Sequence, residues 1–128
     1  MHPDDRPPLA FIYDRRLTPT LGILQLRLET CREYATEMRW DIAGEWIDTD
    51  EHAMSDDNRP QFDSMIAAMR AAANAGRSVI CLLNEWDRLT RDAHRQAAFR
   101  HHVALAGGYT ATQLGEDDRP ARALRPAR

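Results

Sequence analysis

A chain of 128 residues can build one buried core and is too short for two ordinary domains. Its 43% hydrophobic and 29% charged residues give a globular balance, and no apolar run approaches the roughly 20 residues of a membrane span. A formal net charge of −3 excludes a broadly basic, free-standing DNA-binding surface and leaves only local contacts with nucleic acid open.

Residues 1–8 are polar and proline-rich and lack the apolar centre of a signal peptide, so a flexible N-terminus and a cytoplasmic location are expected. Residues 9–13 form a short apolar run suited to a buried strand. From 21 to 38, Leu21, Leu24, Leu28, Cys31 and Ala35 recur at steps of three and four and predict an amphipathic helix. Residues 41–48 alternate polar and apolar as a second strand, and the acidic stretch 49–58 is expected to be a loop. Pro60 suits the first turn of a helix with a stripe of Phe62, Met65, Ile66 and Met69, closed by Asn74-Ala75-Gly76.

The continuous apolar run 78–83 predicts a central parallel strand covered on both faces. Thr90 or Asp92 can cap a further helix reaching about Leu105, which Gly107-Gly108 ends, and residues 109–114 complete the pattern as a last strand. From Gly115 the charged, proline-rich sequence, with Arg119, Arg122, Arg125 and Arg128, predicts a mobile tail. The expected organisation is a flexible segment 1–8, a domain 9–114 and a tail 115–128. Strands alternating with helices imply a mainly parallel four-stranded sheet in a three-layer α/β/α arrangement, with functional groups beyond the carboxyl ends of the strands.

At those ends lie Arg15 and Arg16, then Asp87, Arg88 and Arg91, with Arg59 before the second long helix. Guanidinium forks suit bidentate contact with phosphate oxygens, and Asp87 can orient one of them. All seventeen basic residues are arginines, a bias that fits a GC-rich genome better than phosphate chemistry. Cys31 and Cys81 sit in apolar segments as expected buried thiols. His94, His101 and His102 lack supporting ligands at metal-binding spacing, and Trp40, Trp46 and Trp86 fit packing at strand ends.

The ordered set Ile12-Tyr13-Asp14-Arg15-Arg16-Leu17, Arg39-Trp40, Trp46-Ile47-Asp48, Asn58-Arg59-Pro60-Gln61-Phe62 and Trp86-Asp87-Arg88-Leu89-Thr90-Arg91-Asp92 resembles the catalytic domain of serine recombinases, the resolvase/invertase family, over about 9–114. The resemblance implies a resolvase-like fold, DNA as substrate, and no metal or other cofactor. By position, Arg15, Arg59, Arg88 and Arg91 match the family's phosphate-binding arginines, and Asp87 its orienting or acid/base aspartate. In that family a serine hydroxyl attacks the DNA phosphodiester.

Three positions depart from the pattern. Leu17 stands where the nucleophilic serine is expected, in a register fixed both from Tyr13 and from Trp40. Arg27 replaces a glutamine, and Arg39 a glycine. Thr18 is the nearest hydroxyl, with Thr20 and Ser55 more remote, but Thr18 precedes Pro19 in an expected turn. The expectation is therefore a recombinase-like domain that keeps its arginine pocket without strand cleavage, as a regulator or remnant lacking the family's C-terminal DNA-binding domain. Its expected partners are DNA, bound weakly or through another recombinase, or a second copy, with no membrane. An active recombinase using Thr18, and a flavodoxin-like module for an anionic ligand, are the alternatives.

Overall fold

The computed structural model describes residues 6–16 and 21–119. Four strands, β1 (Leu9–Arg16), β2 (Asp41–Thr49), β3 (Val79–Leu83) and β4 (Tyr109–Thr112), form one sheet in the order β2-β1-β3-β4, with every neighbouring pair parallel. Helix α1 (Leu21–Glu37) covers one face, where Leu24, Leu28, Cys31 and Ala35 pack on Ala10, Ile12, Ile80 and Leu82. Helices α3 (Pro60–Asn74) and α4 (Ala93–Leu105) cover the other, where Phe62, Met65, Met69, Phe99 and Val103 meet Phe11, Tyr13, Val79, Cys81 and Leu83. Alternate residues of β1 and β3 thus feed opposite cores, as the period of two requires, and the three-layer expectation holds.

The boundaries show what the local pattern hides. β1 runs three residues beyond its apolar stretch, because Asp14, Arg15 and Arg16 pair with Ile47, Asp48 and Thr49 of the long strand β2. The expected loop 49–58 contains a helical turn, α2 (Asp50–Met54); Asp50 and Glu51 lie in its first turn, where negative charge suits the helix dipole, and Ala53 is buried. A 3₁₀ turn, Trp86–Arg88, precedes α4. Asp92, rather than Thr90, caps α4 by accepting the His94 and Arg95 amides at 2.9 and 3.3 Å.

β4 stops at Thr112, and residues 115–119 of the expected tail turn back along it, whereas residues 120–128 lie outside the described residues. Gly115 takes φ +89, the Glu116 carbonyl accepts from Thr112 N at 2.8 Å, and Asp118 N donates to the Thr110 carbonyl at 2.9 Å. Arg100 of α4 fixes the turn, its Nε donating to Asp118 at 2.7 Å while its guanidinium lies 4.0 Å from the Trp86 ring centroid. Gly108 is required by close approach, since a Cβ there would lie 2.3 Å from the Val79 carbonyl oxygen.

Cys31 and Cys81 are buried and free, in the cores on opposite faces of the sheet. Trp46 stacks on Phe11 and Trp40 meets Tyr34 edge-on. No helix among the described residues is long and apolar enough to cross a membrane, and none of their His, Cys, Asp and Glu side chains cluster in a way that could hold a metal.

Candidate functional site at the carboxyl edge of the sheet

β1 is flanked by β2 and β3, and the chain leaves it over α1 on one face and returns to β3 over α3 on the other. Such a switch point opens a crevice beyond the carboxyl ends of β1 and β3, which here carry Asp14, Arg15 and the segment 84–91.

Arg15 is buried there and its two terminal nitrogens donate to the carbonyls of Ala53 and Asp87, each at 2.9 Å. Its Nε is buried without an acceptor. Burial, followed by the nearby positive charges of Arg59 and Arg88, lowers its pKa. Arg59, also buried, donates from Nε to the Ser55 carbonyl at 2.6 Å, from Nη1 to the Leu89 carbonyl, and from Nη2 to Asp56 at 2.8 Å. Arg59 therefore ties together the segment after α2, the start of α3 and the segment before α4.

Arg88 donates from Nε to Asp87 at 3.2 Å and reaches Asp14 at 3.4 Å. Burial alone would lower its pKa, but the hydrogen bond to Asp87 and the charges of Asp14 and Asp87 raise it on balance. Arg91 is exposed and shares with Arg15, Met54, Asp56 and Thr90 a cleft of about 230 Å³. The structure thus brings Arg15, Arg59, Asp87 and Arg88 to one edge, with Arg91 at the mouth beside Arg15. Leu17 and Thr18 lie outside the described residues.

Two carboxylates at this edge appear in the sequence only as parts of strand-end motifs, with no role of their own. Asp48, at the end of β2, accepts from the Tyr13 hydroxyl at 2.8 Å and from the Gln61 and Phe62 amides at 2.9 and 3.1 Å, so it caps α3 from another strand. Asp14 is 2% exposed and accepts from Arg27 Nε at 2.7 Å and Nη2 at 3.1 Å. A signal for this pair existed: a charge near the end of an apolar strand, and an arginine where the related pattern has glutamine.

The sequence matches the family model "Resolvase, N terminal domain" over residues 10–110. This chain belongs to the resolvase family. The resolvase fold is also found in solved structures similar to this one. The N-terminal catalytic domain of TP901-1 integrase superposes with a TM-score of 0.69 at 16% identity, over 89% of this chain and 84% of that one. A resolvase family site-specific recombinase from Streptococcus pneumoniae gives 0.69 at 18%, over 91% and 80%. The C-terminal catalytic domain of ISC1926 TnpA, an IS607-like serine recombinase, gives 0.67 at 17%, over 90% and 72%. At these identities the likeness to the three structures is one of fold. No curated protein matches the sequence. As a resolvase-type domain, the chain is related to site-specific recombination.

Proposed function

We propose that this resolvase-family domain holds DNA phosphate at the arginine edge, weakly or together with a partner recombinase, and does not cut a strand. Leu17 carries the reading. It follows β1 directly at the position where the family has its attacking serine, and a leucine side chain offers no atom that can form a bond to phosphorus. β1 pairs with β2 without a shift from Phe11 to Arg16, which supports an unbroken count from Tyr13 as far as the ladder runs.

Among the described residues lining the cleft beside Arg15, the one hydroxyl is that of Thr90, which is buried and lies 3.5 Å from Asp56. The arginines supply charge and donors for a phosphate oxygen, which requires no nucleophile. The affinity is weak because the whole chain is negative and the terminal nitrogens of Arg15 already serve carbonyl oxygens.

The test is incubation with supercoiled DNA carrying candidate sites, resolved under denaturing conditions. The native chain gives neither nicks nor a covalent adduct. An adduct that disappears in Thr18→Val would overturn the reading and assign the nucleophile to Thr18. An adduct gained by Leu17→Ser would show the arginine edge to be competent and the nucleophile alone to be missing.

A further inference from the structure

We propose that Asp14 is a built-in competitor for phosphate, occupying Arg27 and Arg88 and so lowering the grip of this edge on a DNA backbone. The proposal rests on the reading of the edge as a phosphate-binding site and adds its internal control. Neighbouring residues of a strand point to opposite faces, and the arginines divide accordingly. Arg15 turns toward the α2 side, to the carbonyls of Ala53 and Asp87. Asp14 turns toward α1, where Arg27 approaches with two nitrogens at 2.7 and 3.1 Å. Arg88, although its neighbour Asp87 touches Arg15, extends its Nη1 to Asp14 at 3.4 Å and to the Arg15 carbonyl at 3.4 Å.

One carboxylate thus receives two guanidinium groups: Arg27 grips it with the two-nitrogen fork that also suits phosphate oxygens, and Arg88 reaches it with one nitrogen. The carboxylate is almost fully buried, whereas the Arg27 and Arg88 side chains keep 19% and 12% of their surface in solvent. Both cations are therefore within reach of an anion arriving from outside, and Asp14 already holds the place such an anion would take. Its other contact, the Arg15 amide at 2.6 Å, anchors it to the strand end. A buried carboxylate between two cations stabilises them as a closed set and cancels charge that a phosphodiester would otherwise meet.

The test measures equilibrium binding of the full-length chain to a fluorescent DNA duplex at low and physiological salt. Asp14→Asn removes the carboxylate charge that both guanidinium groups share, leaving Arg27 on the Arg15 carbonyl and Arg88 on Asp87, and duplex affinity rises about tenfold, the effect of gaining a charge-assisted hydrogen-bonded contact. The salt dependence steepens by about one phosphate contact. Because an unpaired Arg27 can cost the fold, Asp14→Asn with Arg27→Gln is the second variant. It leaves net charge unchanged and releases Arg88 alone, so affinity rises roughly threefold where a bulk-charge effect predicts no change. Adding Arg88→Gln removes the gain.

A folded Asp14→Asn chain, or the charge-neutral double variant, that binds duplex no better than the native chain would overturn the proposal. A gain for inorganic phosphate with none for duplex would overturn the assignment to DNA. These affinities are independent of adduct formation: a covalent product from the native chain would refute the non-cleaving reading and leave the Asp14 comparison standing.

Discussion

The guanidinium of Arg59 lies 4.7 Å from the centroid of the Phe99 ring, so one buried cation joins the base of α3 to the inner face of α4. Its three nitrogens serve Ser55, Leu89 and Asp56 at the same time. Replacing Arg59 by leucine strands two carbonyls and a carboxylate, and costs about 3 kcal/mol of stability in urea unfolding. Lysine restores one charge but not the planar fork, so Arg59→Lys recovers only part of the loss.

Arg39 occupies a left-handed conformation, φ 62, between α1 and β2. The related sequence pattern has glycine at this position, and the backbone supplies the reason. An L side chain in that region costs about 1 kcal/mol, so Arg39→Gly raises the melting temperature by a few degrees and leaves the site unaltered. Unchanged or lower thermal stability would show that the Arg39 side chain repays its strain.

Cys31 gives a pH signature. Burial first, then the negative charges of Asp14 and Glu45, push its thiol from 9.0 up to about 12. The folded state holds this proton more tightly than the unfolded chain, so its contribution is fully present below pH 9.0 and is lost as pH rises toward about 12. Urea midpoints therefore fall across that window, and Cys31→Ala flattens the fall. At mildly alkaline pH a thiol reagent labels the unfolded chain far faster than the native one.

Arg100, Asp118 and Trp86 form a clamp whose ion pair is about a third exposed on each side. Asp118→Ala releases residues 115–119 at a cost of about 1 kcal/mol, because a partly exposed pair is screened by solvent. The release is read as faster proteolysis at that segment and as a change in Trp86 fluorescence. Intact protection in the variant would assign the turn to its backbone bonds alone.

The order of elements and the parallel sheet were legible in the chain because Leu24, Leu28, Cys31 and Ala35 keep helical spacing and residues 79–83 form one apolar run. The site was legible as a set of arginines at strand ends. Its wiring was not: the partners of Asp14, Arg15 and Asp48 include residues distant along the chain, and no local period encodes them. Helix α2 is too short to show a repeat, and the return of residues 115–119 depends on an ion pair to another helix. Strand β1 outran its apolar stretch because a long neighbour supplied hydrogen bonds and nearby groups neutralised its charges.

The backward turn at Gly115 also gives the sheet a polarity of growth. On the β4 side, Thr110 and Thr112 spend their outward-facing main-chain groups on Asp118 and Glu116, so that rim is sealed from within the chain. Among the described residues β2 is the rim left for an incoming strand, and it begins with Asp41 and carries Glu45 near its middle, paired with Arg77 and Arg32. A second copy approaching in the same manner brings the same acidic residues to the junction. Charge on an edge strand is a recognised guard against edge-to-edge pairing, and here the guard stands on the side of the sheet that, among the described residues, no further strand closes.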